Sequence, residues 1–164
     1  MINILFWNVR GIGGKDSQRM LHQVVKEFNV KTLVISEPKV RLDAKFMTRR
    51  LGFTHVAANT NNKLWMFWDF QFQIDVLFAS DQLLHVKATS PLLPDPIEIS
   101  AVYAKCTNLL GYHFGMNSEM CLRSTLLGLW VLLGANAFAY FTFERLCDGR
   151  FGDAEYVALF NKSM

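Results

Sequence analysis

Three runs of this chain carry an apolar segment up to a polar side chain and then stop. In Met1-Ile2-Asn3-Ile4-Leu5-Phe6-Trp7-Asn8-Val9-Arg10-Gly11 the strand-like start ends on Asn8 and Arg10, and a glycine-rich loop with Gly13 and Gly14 follows. Val30-Lys31-Thr32-Leu33-Val34-Ile35-Ser36 leads into Glu37, where Pro38 prevents further extension. Ile97 to Ala104 presents Tyr103 near its end. Singly, such an Asn closes a turn, such a Glu is solvated and such a Tyr anchors a sheet edge. As an ordered set, an amide, a carboxylate and a phenol at successive strand mouths define a candidate site, with Asn8 and Glu37 side by side if their strands are neighbours.

The segments Phe6-Trp7-Asn8-Val9-Arg10-Gly11, Ile35-Ser36-Glu37-Pro38-Lys39 and Val102-Tyr103-Ala104-Lys105-Cys106 resemble successive motifs of the endonuclease/exonuclease/phosphatase superfamily. They most resemble the endonuclease domain of plant LINE-type (non-LTR) retrotransposons. The match is good over residues 1–107, divergent over 108–135 and weak over 136–164. The resemblance implies one truncated domain over residues 1–164, of the α+β class: an incomplete four-layered α/β-sandwich of the deoxyribonuclease I-like type. It also implies Mg²⁺ as cofactor, DNA as partner and hydrolysis of a phosphodiester as the reaction. Mg²⁺ prefers hard carboxylate oxygens and keeps much of its water, so one Glu together with phosphate oxygens suffices as an anchor. Glu37 matches that anchor, with Asn8 beside it as a second metal-site residue. Asn8 and Tyr103 would orient carboxylates and phosphate by hydrogen bonds.

The same resemblance locates departures. Leu132-Leu133-Gly134-Ala135-Asn136-Ala137-Phe138 falls where the family has Gly-Asp-Phe-Asn, so Asn136 matches the motif's asparagine while Ala135 stands where the base is needed. The family's final strands and its Asp-His pair would lie beyond Met164, and no histidine follows His113. Loss of a general base costs about two to four orders of magnitude in rate, so catalysis is expected to be impaired or absent. A non-catalytic nucleic-acid-binding or vestigial domain is the alternative. The divergence of 108–135 between matched flanks implies a shifted reading frame, which the coding DNA would test.

The elements that must position these residues follow from periodicity and composition. The 164 residues are 51% hydrophobic and 13% aromatic, enough for one real core. The net charge of +3 permits a nucleic-acid partner without arguing for one, yet residues 1–106 hold 13 basic and 9 acidic groups while 107–164 hold 4 and 5. Cys106, Cys121 and Cys147 lack any paired spacing, so neither zinc nor a disulfide framework is indicated, and with no secretory signal an intracellular setting is expected. Helices are predicted over Lys15 to Phe28, capped by Asp16 or Ser17, over Asp43 to Leu51, and over Asn117 to Leu127 with Ser118 as cap. The basic edge of Lys45, Arg49 and Arg50 reads as a solvated helix face.

Strands are predicted over Phe53 to Ala58, Lys63 to Trp68, Phe72 to Ala79, Gln82 to Ala88 and Ile97 to Ala104, forming a five-strand meander. Trp65 and Trp68 read as core rather than as a base-stacking platform, and His85 as a hydrogen-bonded surface histidine. Residues 124–143 are long and apolar enough to span a bilayer, but Gly128, Gly134 and Asn136 interrupt them, and a buried central strand over Leu129 to Leu133 needs no membrane. Stable membrane association is therefore not expected. Self-association through an exposed sheet edge is.

Overall fold

The computed structural model describes residues 2–103, 138–143 and 155–159, the last two segments as backbone strands. Strand β1 (Ile2–Asn8) is followed by helix α1 (Lys15–Glu27), strand β2 (Thr32–Ser36), helix α2 (Ala44–Leu51) and strands β3 (His55–Ala58) and β4 (Leu64–Trp68). Strands β5 (Gln73–Ala79), β6 (Leu83–Thr89), β7 (Ile97–Val102), β8 (Phe138–Phe143) and β9 (Glu155–Leu159) complete the order. The fold is α+β.

Strands β1 and β2 are parallel, with Asn8 beside Ser36, and α1 makes the crossover that parallel pairing requires. Around this pair a six-stranded sheet forms in the order β3-β4-β2-β1-β8-β9, while β5-β6-β7 form a separate three-stranded sheet. The expected five-strand meander is therefore split after β4. Composition along the chain could not reveal this, because the Asp69–Phe72 turn that separates the sheets reads like any hairpin turn.

Alternation along the strands assigns each sheet face. Leu5, Leu33, Ile35, Trp65 and Phe67 meet Leu21, Val25, Met47 and Leu51 from the helices. Ile4, Phe6, Val34, Leu64 and Met66 meet Leu84, Val86, Ile99 and Ala101 across the inter-sheet space. Among the described residues, helices, large sheet and small sheet thus form three stacked layers. On the far face of the small sheet Leu83, His85, Ser100 and Val102 are also buried, whereas Lys87 is exposed. Trp65 and Trp68 are core residues, as expected, and neither is a platform for a base.

Helix α2 begins at Asp43, whose side chain accepts from the Phe46 amide at 2.9 Å, and ends at Gly52, where φ is +85°. Helix α1 corrects the expected cap: the position falls on Gly14, without a side-chain bond, because the helix starts straight out of the glycine loop. Asp16 and Ser17 lie inside the first turn, where Asp16 still favours the helix dipole. The expected strand over Leu129 to Leu133 and helix over Asn117 to Leu127 lie outside the described residues. So does most of the 124–143 stretch, but its last six residues are strand β8. Among the described residues no helix is long and apolar enough to cross a membrane.

Phe6 is fully buried at the centre of the inter-sheet core. Phe6→Ala is expected to cost about 3–5 kcal/mol of stability, read from urea unfolding.

Candidate functional site

The parallel pairing sets the first two site residues. Asn8 and Ser36 are register partners, about 5 Å apart as neighbouring strands require, and the Val9 amide donates to the Ser36 carbonyl at 3.1 Å. Glu37 follows at once, so the carboxylate and the amide come from adjacent strand ends. Asn8 is buried, and its Oδ1 accepts from the Arg10 amide at 3.2 Å, an Asx turn that closes the strand.

Tyr103 arrives from the other sheet. Its amide donates to the Gln82 carbonyl at 2.7 Å, and its ring packs against the inter-sheet core just past the end of β7. Lys63 joins the halves: its carbonyl accepts from the Glu37 amide at 3.0 Å, and its Nζ lies 3.5 Å from Tyr103 Oη and 4.9 Å from the ring centroid. Asn8, Glu37 and Tyr103 are therefore brought to one rim of the two sheets. Asn136 lies outside the described residues.

The turn between β3 and β4 fixes this rim. Asn59 is buried; its Oδ1 accepts from the amides of Lys63 and Leu64, both at 2.9 Å, and its Nδ2 donates to the carbonyls of Ser80 and Asp81 at 3.0 and 3.2 Å. Asn61 adds a 2.7 Å bond to Asp81. Asn62 bonds Val40, Leu42 and the Trp65 indole N–H, tying the loop after Glu37 to the same turn. The loop after β1 is held in turn by the Ile12 amide on the Pro38 carbonyl and by Gly13, where a Cβ would come within 3.0 Å of Val40.

Backbone strain concentrates here. Among the described residues Arg10, Glu37, Lys39 and Asn62 all have φ between 48° and 61°, a region that side-chain-bearing residues seldom adopt. Each costs on the order of 1 kcal/mol or more, sustained because the surrounding bonds over-determine the loops.

The electrostatics are mixed. Arg10, Lys39 and Lys63 are exposed around a half-buried Glu37, whose carboxylate has no hydrogen bond or ion pair with the described residues. Among those residues no group of three or more His, Cys, Asp or Glu side chains could hold a metal ion. One carboxylate with one amide fits a hydrated hard cation that completes its shell with water and substrate oxygens. Ser36 Oγ, fully buried beside Asn8, makes no hydrogen bond with the described residues.

His85 departs from its expected place. It is buried, with Nδ1 2.8 Å from Ser100 Oγ and Nε2 3.5 Å from a Glu98 carboxylate oxygen, because the face of β6 that looked polar is covered at this position. Burial pushes its imidazole below its ordinary value, and the Glu98 carboxylate pulls it partly back.

The fold is shared with known structures. The endonuclease domain of TRAS1, a telomere-specific non-LTR retrotransposon, superposes with a TM-score of 0.58 at 12% identity, over 82% of this chain and 58% of that one. The human Nocturnin catalytic domain gives 0.54 at 13% identity, over 81% and 63%. An endonuclease/exonuclease/phosphatase family protein from Bacteroides thetaiotaomicron gives 0.52 at 14%, over 83% and 64%. The fold is that of the endonuclease/exonuclease/phosphatase domains. The chain spans about three fifths of the length of these structures. No protein-family model matches the sequence, and no curated protein matches it.

Asn59→Ala is expected to cost about 1–3 kcal/mol, since it leaves the buried Leu64 amide without its acceptor and removes two bonds to the β5–β6 turn, whereas Ser36→Ala removes a hydroxyl with no partner among the described residues and leaves stability unchanged or higher; urea midpoints compare them. His85 gives a pH dependence. Its folded-state value lies below the ordinary 6.5, so the neutral form's stabilisation is complete above that pH and is lost as pH falls below it. Unfolding at pH 7 and pH 5 is expected to differ more in the wild type than in His85→Asn.

Proposed function

We propose that the chain is a metal-dependent phosphodiesterase-like domain of retrotransposon origin, closest to plant LINE-type endonucleases, whose rim binds the nucleic-acid backbone and whose catalysis is impaired. The observation that carries this is the register that sets Asn8 beside Ser36 and Glu37 across from Lys63, with Tyr103 reaching the same rim. In this reading Glu37 and Asn8 hold Mg²⁺, which when bound polarises the phosphate and steadies the leaving oxygen. Asn8 and Tyr103 orient the phosphate by hydrogen bonds, and Asn136, by resemblance, joins them. DNA is the proposed partner, supported by the exposed cations Arg10, Lys39 and Lys63.

Impairment rests on Ala135, which stands at the position of the family's base and has no atom that can accept a proton from water. Binding without turnover is then the residual activity. Self-association belongs to the same reading: β5 is an edge strand with Val76, Leu77 and Phe78 exposed. The register shift at Leu77 limits how regularly that edge can pair.

A thermal melt and a plasmid-nicking assay test the proposal together. Mg²⁺ is expected to raise the melting midpoint of the wild type and not of Glu37→Ala, by linkage to binding. Nicking is expected at or near background for both. Vigorous nicking abolished by Glu37→Ala would refute impairment, and a midpoint indifferent to Mg²⁺ would refute the metal site.

A further inference from the structure

Lys63 stands between the two halves of the rim. Its backbone is fixed: the amide donates to Asn59 and Asn61 side chains at 2.9 and 3.2 Å, and the carbonyl accepts from Glu37. Its side chain is not spent on a salt bridge, since among the described residues no carboxylate lies within ion-pair distance of the ammonium. The Glu37 carboxylate one strand away leaves it unpaired. The ammonium instead rests over the Tyr103 ring, 4.9 Å from its centroid, with one contact of 3.5 Å to the phenol oxygen.

That geometry preorganises a cation without neutralising it. A long, flexible ammonium normally keeps its freedom in solvent, and the quadrupole of an aromatic face restrains it at little cost in hydration. Of its three N–H donors, one is engaged by Tyr103 among the described residues, and the side chain is exposed. Arg10 and Lys39 stand exposed on the adjoining loops, so the rim presents three cations around one carboxylate.

We propose that Lys63 is a phosphate-binding residue that lets this rim hold a nucleic-acid backbone in the absence of any divalent cation, with the Tyr103 ring as its platform. The proposal deepens the phosphodiester-binding reading above and rests on it. A phosphodiester chain fits better than an acidic peptide, because it carries a charge at every residue and Lys39 stands exposed on the loop beside Lys63. A cation held by Glu37 would supply a further positive charge at the same rim, so the two modes would add rather than compete.

The test is fluorescence anisotropy of the full chain with a short fluorescein-labelled DNA duplex in EDTA, across a salt series. Wild type is expected to bind. Lys63→Gln is expected to weaken binding several-fold and to lower the slope of log K against log salt by about 0.9, the value for one phosphate contact. Lys63→Arg, which keeps the charge and the ring contact, is expected to restore both. Lys26→Gln, an exposed change in the last turn of α1 at the opposite end of the large sheet, is expected to change neither. Loss of wild-type binding in EDTA, or a Lys63→Gln slope equal to that of the wild type, would overturn the proposal. The metal reading fails separately, if Mg²⁺ adds nothing to affinity and Glu37→Ala is silent, and that result leaves the comparison in EDTA intact.

Discussion

The buried amide of Asn59 is the joint on which the rim depends. One side chain accepts from two consecutive amides of the large sheet and donates to two consecutive carbonyls of the small one, so its full hydrogen-bonding capacity is used across the gap between layers. Hydrophobic contact between the sheets fixes their spacing but is indifferent to small slides along the strands. Four directional bonds are not. They set the height of Lys63 against Ser80 and Asp81, and Gln82, next in the chain, receives the Tyr103 amide. The positions of Glu37 and Tyr103 relative to each other are therefore settled by a residue that carries none of the proposed chemistry.

The rim is also where local and global preferences part. Strands prefer to run on, yet four side-chain-bearing residues here turn into left-handed backbone within three positions of a strand end. Pro38 explains why β2 stops but not why Glu37 takes φ of +53°; the bond from its amide to Lys63 does. Elsewhere the chain is conventional, with β-branched and aromatic residues in strands and a capped α2. Among the described residues Asn29, in the turn between α1 and β2, is the one other side-chain-bearing residue with positive φ, so four of the five such departures from local preference gather at this rim.

Much of the architecture was legible in the residues themselves. Apolar runs located β1 to β7 within two residues but not β8 or β9, and helical spacing placed α1 and α2, because both signals come from burial of one face. The convergence of Asn8, Glu37 and Tyr103 followed from ordered motifs. What could not be read was anything decided by layers: the break between β4 and β5 that makes two sheets, and the cover over His85, whose alternation pointed to the polar side. Asn59, Asn61 and Asn62 fall in the break between two predicted strands, and composition says that a chain turns there and not what the turn holds. Lys63 was likewise seen only as the start of a strand.

The pairing of β8 with β1 has a bearing on how the chain comes off the ribosome. β1 is made before the other described strands and lies inside the large sheet, yet one of its two neighbours is encoded more than a hundred residues later. At ordinary synthesis rates that is a wait of roughly ten seconds to half a minute. Through that interval β2, β4 and the helices can assemble on one flank of β1 while its other flank offers open amides and carbonyls. A nascent chain in that condition is a natural client for chaperones that shield strand edges.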